Sequence, residues 1–165
     1  MADKSRELEL IRPALGTKKE IYLCHKLYTK GLCHKYPDFI FVFGDNVYRS
    51  GNGGQAVIRE MENSVGIRTK RAPTTFVHSY FYDKDFDSFK HYIDNDFDNL
   101  ESLLNEHPLV FSSQGYGNGL AEMHIRAPTC YKYLCSKLND FIGKPIFIYA
   151  TNHPSILQVQ ERDDD

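Results

Sequence analysis

Two neighbouring segments are the most informative part of the chain, Phe39-Ile40-Phe41-Val42-Phe43-Gly44-Asp45-Asn46 and Gly51-Asn52-Gly53-Gly54-Gln55-Ala56. The first is a run of apolar residues that ends at a polar turn. The second is a glycine cluster, followed by helical spacing over residues 54–64. This order of strand, glycine loop and helix presents backbone amides and a helix N-terminus to an anion. It predicts a loop that binds phosphate or diphosphate, with Asp45 and Asn46 at the strand end, where α/β sheets contact ligands.

The same pattern recurs in the second half of the chain. Residues 109–113 read as a buried strand and Gln114-Gly115-Tyr116-Gly117-Asn118-Gly119 as a second glycine loop. A helix is predicted over residues 121–139, with a core face made of Ile125, Tyr131, Leu134 and Leu138. Loops that leave the carboxyl ends of parallel strands meet at one rim of the sheet. The sequence therefore predicts a cleft with two glycine-rich walls, which suits a diphosphate.

The remaining segments predict further strands and helices. Alternating apolar side chains predict an edge strand over residues 21–27, a weak pattern predicts a strand over 74–79, and an apolar segment predicts a strand over 145–150. The helix over 54–64 is expected to stop at Gly66. The strongest helical signal begins at Asp85. Its apolar stripe steps by three and four residues through Phe86, Phe89, Ile93, Phe97, Leu100 and Leu104.

The alternation of strands and helices predicts an α/β protein with three layers, α/β/α, in which a mixed sheet carries helices on both faces. The 165 residues fit a single domain over 1–165, with residues 1–19 and 156–165 peripheral to it. The apolar content of 41% and the charged content of 25% are those of a soluble globule. No apolar run approaches the ~20 residues of a membrane span, and the N-terminus lacks a signal-peptide core. A cytoplasmic location and four reduced cysteines are therefore expected.

The net charge of −2 is unevenly distributed. Residues 1–72 carry 13 Lys/Arg against 8 Asp/Glu, whereas residues 73–165 carry 7 against 14. The basic residues near the first glycine loop in sequence are Arg49, Arg59, Arg68, Lys70 and Arg71. They indicate either a positive field that favours an anionic ligand or ordinary solvated surface charge. The overall acidic balance argues against a general nucleic-acid-binding surface.

Two groups of residues contain metal-ligand types without the pattern of a metal site. The pairs Cys24-His25 and Cys33-His34 match no common zinc spacing, and adjacent residues of a strand point to opposite faces. One side of the long helix carries Asp87, Asp94, Asp96, Asp98 and Glu101, which we interpret as a solvated face. The sequence therefore predicts no metal and no cofactor.

The glycine loops differ from the two common phosphate-binding fingerprints. Neither loop ends in Gly-Lys-Ser/Thr, which disfavours a P-loop and phosphoryl transfer from ATP. The first loop also lacks the glycine spacing and the acidic partner strand of a dinucleotide fingerprint. A phosphate ligand would therefore be held in another way.

Several motifs together carry a resemblance to a known family. They are Phe41-Val42-Phe43-Gly44-Asp45-Asn46, the loop over 51–56, Gly66-Ile67-Arg68-Thr69-Lys70 and Gly115-Tyr116-Gly117-Asn118-Gly119-Leu120-Ala121. With these motifs the chain resembles a small, uncharacterised and mostly phage-encoded family, which in turn is similar to macrodomains in motif order. The resemblance implies a macrodomain-like fold that binds ADP-ribose or another NAD-derived nucleotide in the host cytoplasm.

Position by position, the resemblance implies that Asn46 contacts the distal ribose and that the two glycine loops line the two sides of the diphosphate. The implied ligand-binding residues are Gly44, Asn46, Gly51, Gly53, Gly54, Gln55, Ser113, Gly115, Tyr116, Gly117, Asn118 and Gly119. Two departures matter. The chain has Gly-Asp-Asn where macrodomains have paired asparagines, and Gln55 stands where hydrolytic members commonly carry an acidic residue. The sequence therefore favours binding over turnover.

Asp45 and Asn46 are the candidate catalytic residues. Asp45 offers a general base, and Asn46 can bridge the donor and acceptor groups of a vicinal diol. Asp45 fits a turn-capping role equally well. His124 and His153 are further candidates for an acid or base, although an ordinary His is the more frequent explanation. Three functions stay open: hydrolysis of an ADP-ribosyl or phosphate bond, sequestration of a nucleotide signal of host defence, and glycines that only make turns.

Overall fold

The computed structural model describes residues 7–12 and 19–148 and contains a five-stranded mixed sheet. The strands are β1 (Leu8–Arg12), β2 (Ile21–Cys24), β3 (Ile40–Asn46), β4 (Ser64–Lys70) and β5 (Leu109–Ser112). They lie in the order β1-β2-β5-β3-β4. Only the β1–β2 pair is antiparallel, and the other neighbours are parallel. The predicted α/β class is confirmed.

Helices cover both faces of the sheet. They are α1 (Lys30–Lys35), α2 (Phe86–Leu104), α3 (Met123–Arg126) and α4 (Pro128–Ile142), with 3-10 turns at Gly54–Ile58, Val77–Ser79 and Asp83–Asp85. The larger core lies on the face covered by α2 and α4, and the smaller core lies under α1 and the first 3-10 turn. Both cores belong to one three-layer arrangement.

The apolar run in β3 follows from burial on both faces. Val42 belongs to the larger core, whereas Phe41 and Phe43 belong to the smaller one. The side chains of the neighbouring strand β5 alternate in the same way, since Phe111 belongs to the larger core and Val110 to the smaller one. A central parallel strand covered on both faces has no solvent side, and its sequence therefore shows no polar alternation.

Helix α2 confirms the predicted apolar stripe. All residues of this stripe are buried except Phe86, which is half-buried. The stripe packs against the sheet and against α4, where the rings of Phe97 and Phe141 meet edge to face at 5.5 Å. The 3.6-residue period of the helix turns this spacing into a single face.

One expectation about the N-terminal part was wrong. The strand predicted over 21–27 is shorter and is internal, because β1 pairs with β2 on its outer side. Residues 8–12, which belong to the segment 1–19 predicted to be peripheral, form the edge strand of the sheet. The partner that turns an edge strand into an internal one lies elsewhere in the chain and leaves no local signal.

The region after the first glycine loop also differs from prediction. Only Gly54–Ile58 is helical, as a 3-10 turn, and strand β4 begins at Ser64. Gly66 therefore does not stop a helix. It lies within β4, where an added Cβ would come within 2.5 Å of Asp45 Oδ2. The strand predicted over 74–79 is a turn that contains the 3-10 segment Val77–Ser79.

The C-terminal elements need two further corrections. The helix predicted over 121–139 is divided into α3 and α4, because Pro128 starts a new helix at its first turn. Ile125, assigned to the core from sequence, is 62% exposed. Residues 145–148 are not strand; Phe147 is buried, but Ile148 is exposed. The rest of that predicted strand and the following residues 151–154 lie outside the described residues.

Candidate functional site

The two glycine loops line one cleft of about 250 Å³ at the carboxyl ends of β3 and β5. Every predicted ligand-binding residue lies in its lining except Ser113, whose amide donates to the Cys24 carbonyl at 2.9 Å. Sequence reasoning missed several lining residues, namely Ser50, Asn52, Ala56, Thr69, Lys70, Pro73, Gln114, Leu120 and Ala121. The predicted order of motifs thus brings both loops to one rim of the sheet.

The cleft opens because β3 and β5 separate after a short parallel pairing. Their register pairs are Ile40 with Leu109 and Phe41 with Val110. Beyond these pairs the Tyr116 hydroxyl bridges the strands, since it donates to the Val42 carbonyl at 2.7 Å and accepts from the Ser112 amide at 2.7 Å. The buried Tyr116 side chain therefore connects the ends of the two strands beneath the cleft.

Gln55 joins the two walls. Its Oε1 accepts from the Gly44 amide at 2.8 Å, and its Nε2 donates to the Gly115 carbonyl at 2.9 Å. A carboxylate at this position has no N–H to donate and would leave the Gly115 carbonyl without this bond. The side-chain amide at position 55 therefore fits a role in fixing the distance between the loops.

Asp45 is held by cations and does not present a free carboxylate. Its oxygens accept from Arg49 at 3.0 Å, from Arg59 at 2.6 Å and from the Asn46 amide at 2.8 Å. Its side chain is only 2% exposed. The same Arg59 guanidinium donates to the carbonyls of Ser50 at 3.1 Å and Gly51 at 2.8 Å. This geometry favours a positioning role, in which Asp45 holds the arginine that shapes the first glycine loop.

Asp96 corrects the interpretation of the acidic helix face. Its side chain is 4% exposed and accepts from the Arg68 guanidinium at 2.7 Å and from the Arg49 guanidinium at 3.0 Å. It also accepts from the Arg68 backbone amide at 2.7 Å. Arg49 in turn donates to the Gly66 carbonyl at 2.9 Å. Asp96 and Arg49 therefore satisfy backbone groups along the outer edge of β4.

Glycine occupies positions 117 and 53 of the two loops for different physical reasons. Gly117 has φ +83°, and an added Cβ would lie 2.9 Å from Met123 Sδ and 3.0 Å from Leu134 Cδ2. The fold itself requires glycine there. Gly53 has φ −76°, and an added Cβ would meet only the exposed Leu120 side chain at 3.3 Å. The fold therefore tolerates a side chain at position 53 if the exposed Leu120 side chain shifts slightly.

Two polar atoms in the cleft lining are buried without a hydrogen-bond partner in the described part of the chain, Asn46 Oδ1 and Gln114 Nε2. The Asn46 amide is oriented by its Nδ2, which donates to the Ser50 carbonyl at 2.7 Å. One acceptor and one donor thus remain unsatisfied beside the cleft. Because buried polar groups are almost always paired, such atoms indicate a site for a polar ligand or water.

Other candidate reactive groups lie away from the cleft or are inert. His124 is buried on α3 outside the cleft lining, and burial lowers its pKa. His153 lies outside the described residues. All four thiols are free and buried, and burial raises their pKa to about 11 for Cys24 and Cys33 and to about 12 for Cys130 and Cys135. Thiols with such pKa values carry almost no thiolate at neutral pH.

Neither a metal centre nor a membrane span is present in the part of the chain that the structure describes. No group of three His, Cys, Asp or Glu side chains within residues 7–12 and 19–148 is arranged to hold a metal ion. Among these same residues, no helix has both the length and the apolar character that crossing a bilayer requires.

The chain belongs to a family of unknown function, DUF7831, whose model matches residues 23–137. The matched region contains both glycine loops and every residue that lines the cleft. Searches among curated proteins and solved structures gave no match. The similarity to macrodomains and to phage-encoded proteins therefore stays a prediction from motif order.

Proposed function

We propose that this protein binds a nucleotide-derived diphosphate in the cleft between its two glycine loops, with ADP-ribose as the first compound to test. The observation that carries the proposal is the cleft between the two glycine loops, whose lining residues include Asn46 and Gln114, each with a buried polar atom that has no partner among the described residues. Within the described residues, the backbone amides of Gly53 and Gly54 also donate no hydrogen bond. Such donors support recognition of an anion.

The chemistry of these groups fits a nucleotide with a sugar. An unsatisfied acceptor such as Asn46 Oδ1 needs a donor, and ribose hydroxyls supply one. An unsatisfied donor such as Gln114 Nε2 needs an acceptor, which a phosphate, a hydroxyl or a base nitrogen supplies. Glycines at the wall let a diphosphate approach the backbone closely. An open cleft of about 250 Å³ can hold part of such a ligand while the remainder extends along the rim.

Binding without hydrolysis is the form of the proposal that the geometry supports. The Asp45 carboxylate is ion-paired with two arginines, and no other carboxylate is found among the described residues that line the cleft. Incubation of the protein with an excess of ADP-ribosyl substrates, followed by chromatography, tests this point. We expect the substrate to be recovered intact. If it is consumed and Asp45→Asn lowers turnover by roughly 10²–10⁴-fold, Asp45 is a general base and the protein is a hydrolase.

Gly53→Val should lower the affinity for ADP-ribose at least tenfold. The branched side chain would fill the space that a phosphate needs to reach the loop backbone. The backbone conformation at Gly53 suits any residue and its nearest neighbour is a flexible exposed leucine, so the melting temperature should change little. Calorimetric titration with ADP-ribose and thermal unfolding would measure the two effects.

Gly31→Val is the matched control, because Gly31 lies on α1 outside the cleft and an added Cβ meets only Thr29 Oγ1 at 3.8 Å. It should bind ADP-ribose like the unaltered protein. Gly117→Val is unsuitable for this purpose, since its side chain would clash with the core and lower stability directly. Equal affinities for Gly53→Val and Gly31→Val would exclude the first glycine loop from the binding site.

A further inference from the structure

Most of the positive charge near the cleft is already neutralised inside the protein. Each of the four arginines that follow one another in this part of the chain has a carboxylate partner. The ion pairs are Arg49 and Arg59 with Asp45, Arg49 and Arg68 with Asp96, and Arg71 with Asp85. The positive field predicted from sequence is therefore largely cancelled by carboxylates that come from β3, from α2 and from the 3-10 turn that precedes α2.

Lys70 differs from these arginines. It ends β4 and, among the described residues that line the cleft, is the one with a positive charge. Its ammonium donates to the Thr74 carbonyl at 2.6 Å and lies 4.7 Å from the centroid of the Tyr80 ring. Lys70 is only 9% exposed, and none of the described carboxylates lies within 4.0 Å of its Nζ.

The surroundings of Lys70 compensate its charge only in part. Burial lowers the pKa of Lys70, the nearby Arg126 acts in the same direction, and Glu122 opposes both. Glu122 is itself paired with Arg126 at 2.7 Å. A buried charge without a counter-ion is costly, and pairing it with an anion through a charge-assisted hydrogen bond is favourable. The free space from which such an anion can approach is the cleft that Lys70 lines.

We propose that Lys70 is the anion-contacting residue of the cleft and that it selects ligands carrying a phosphate group at the wall formed by Lys70 and Pro73. This inference rests on the proposed function and deepens it by assigning the charge recognition to one side chain. The Thr74 carbonyl holds the ammonium at the wall through one N–H, and an ammonium has two further N–H bonds to donate. The glycine loops provide close backbone approach, and Lys70 provides the charge.

Calorimetric titration with two probes, ADP-ribose and inorganic pyrophosphate, tests the proposal on the full chain and its variants. Lys70→Met should lower the affinity for both probes by roughly tenfold to a hundredfold, the size expected for a lost hydrogen bond to a charged group. Lys70→Arg should recover part of the loss, because it restores the charge with a different donor geometry. Raising the salt concentration should weaken binding to the unaltered protein more than binding to Lys70→Met.

Lys30→Met is the matched control, because it changes the net charge equally. Lys30 lies on α1 outside the cleft and pairs with the exposed Glu60 at 3.3 Å. The Lys30→Met variant should bind both probes with the affinity and the salt dependence of the unaltered protein. If Lys70 only tethered Thr74, Lys70→Met would lower the melting temperature but keep the salt dependence of binding of the unaltered protein, and the proposal would be overturned.

The outcomes separate this inference from the proposed function. Equal binding of ADP-ribose by Lys70→Met and the unaltered protein removes the role of Lys70 and leaves the nucleotide-binding proposal standing. Binding of pyrophosphate but not of ADP-ribose, with loss in Lys70→Met, supports the role of Lys70 and overturns the nucleotide assignment. Failure of the unaltered protein to bind either probe overturns both proposals.

Discussion

Asp45→Ala should lower the free energy of unfolding by about 3 kcal/mol, the lower end of the cost of breaking a buried ion pair. The substitution leaves the guanidinium groups of Arg59 and Arg49 without their carboxylate. Because these side chains are 18% and 43% exposed, water compensates part of the loss. A urea titration measures the change, and Asp98→Ala on the exposed face of α2 is the control, with an expected effect within about 0.5 kcal/mol.

The same residue decides between a positioning role and a general base. If Asp45 positions Arg59, then Asp45→Asn and Arg59→Lys should lower stability and ADP-ribose affinity together, because both disturb the guanidinium that binds the Ser50 and Gly51 carbonyls. If Asp45 were a base, Asp45→Asn would lower turnover while affinity and stability stayed near those of the unaltered protein. An Asp45→Ala loss below about 1 kcal/mol would contradict the burial of this ion pair.

Phe97→Ala should lower the free energy of unfolding by about 3–5 kcal/mol, because it leaves a cavity in the larger core. Phe97 is 4% exposed and its ring packs edge to face against Phe141. Denaturant titration followed by circular dichroism measures the loss. The cleft lies at the rim of the sheet and does not include Phe97, so the proposed binding of ADP-ribose by the folded fraction should be unaffected.

Ile125→Ala is the informative control for this measurement. Its position in the predicted helix over 121–139 assigns Ile125 to the core, whereas the structure leaves the side chain 62% exposed. The substitution should change stability by less than about 0.5 kcal/mol. A loss for Ile125→Ala as large as that for Phe97→Ala would contradict the division of this region into α3 and α4.

Features that depend on neighbours close in sequence were predictable. The stripe of α2 repeats every three or four residues, and a helix converts that spacing into one buried face whatever its partners are. The apolar runs of β3 and β5, each followed by glycines, likewise identified two strand ends. Parallel strands then bring both loops to one rim, and the cleft lies there.

Glycine and proline were less reliable signals for the ends of helices and strands, because each of them occurs in several backbone conformations. The sequence pattern predicts that a helix stops at Gly66, yet Gly66 lies in β4, where the Asp45 side chain occupies the space that a Cβ would need. Pro128 lies inside the helix predicted over residues 121–139, yet it starts a second helix there. The glycines of the cleft likewise have different roles. An added Cβ at Gly117 would clash with core side chains, whereas an added Cβ at Gly53 would contact only the flexible Leu120 side chain.

Local spacing and strand order were enough to predict the α/β class, the long helix and the common rim of the two glycine loops. The ion pairs near the cleft could not be predicted in this way, because they join residues that are distant in the chain. Asp96 meets Arg68 and Arg49 across separations of 28 and 47 residues, and Asp45 meets Arg59 across 14. Such pairings depend on which distant segments the fold brings together. Among the described residues that line the cleft, Lys70 is the one that carries a positive charge.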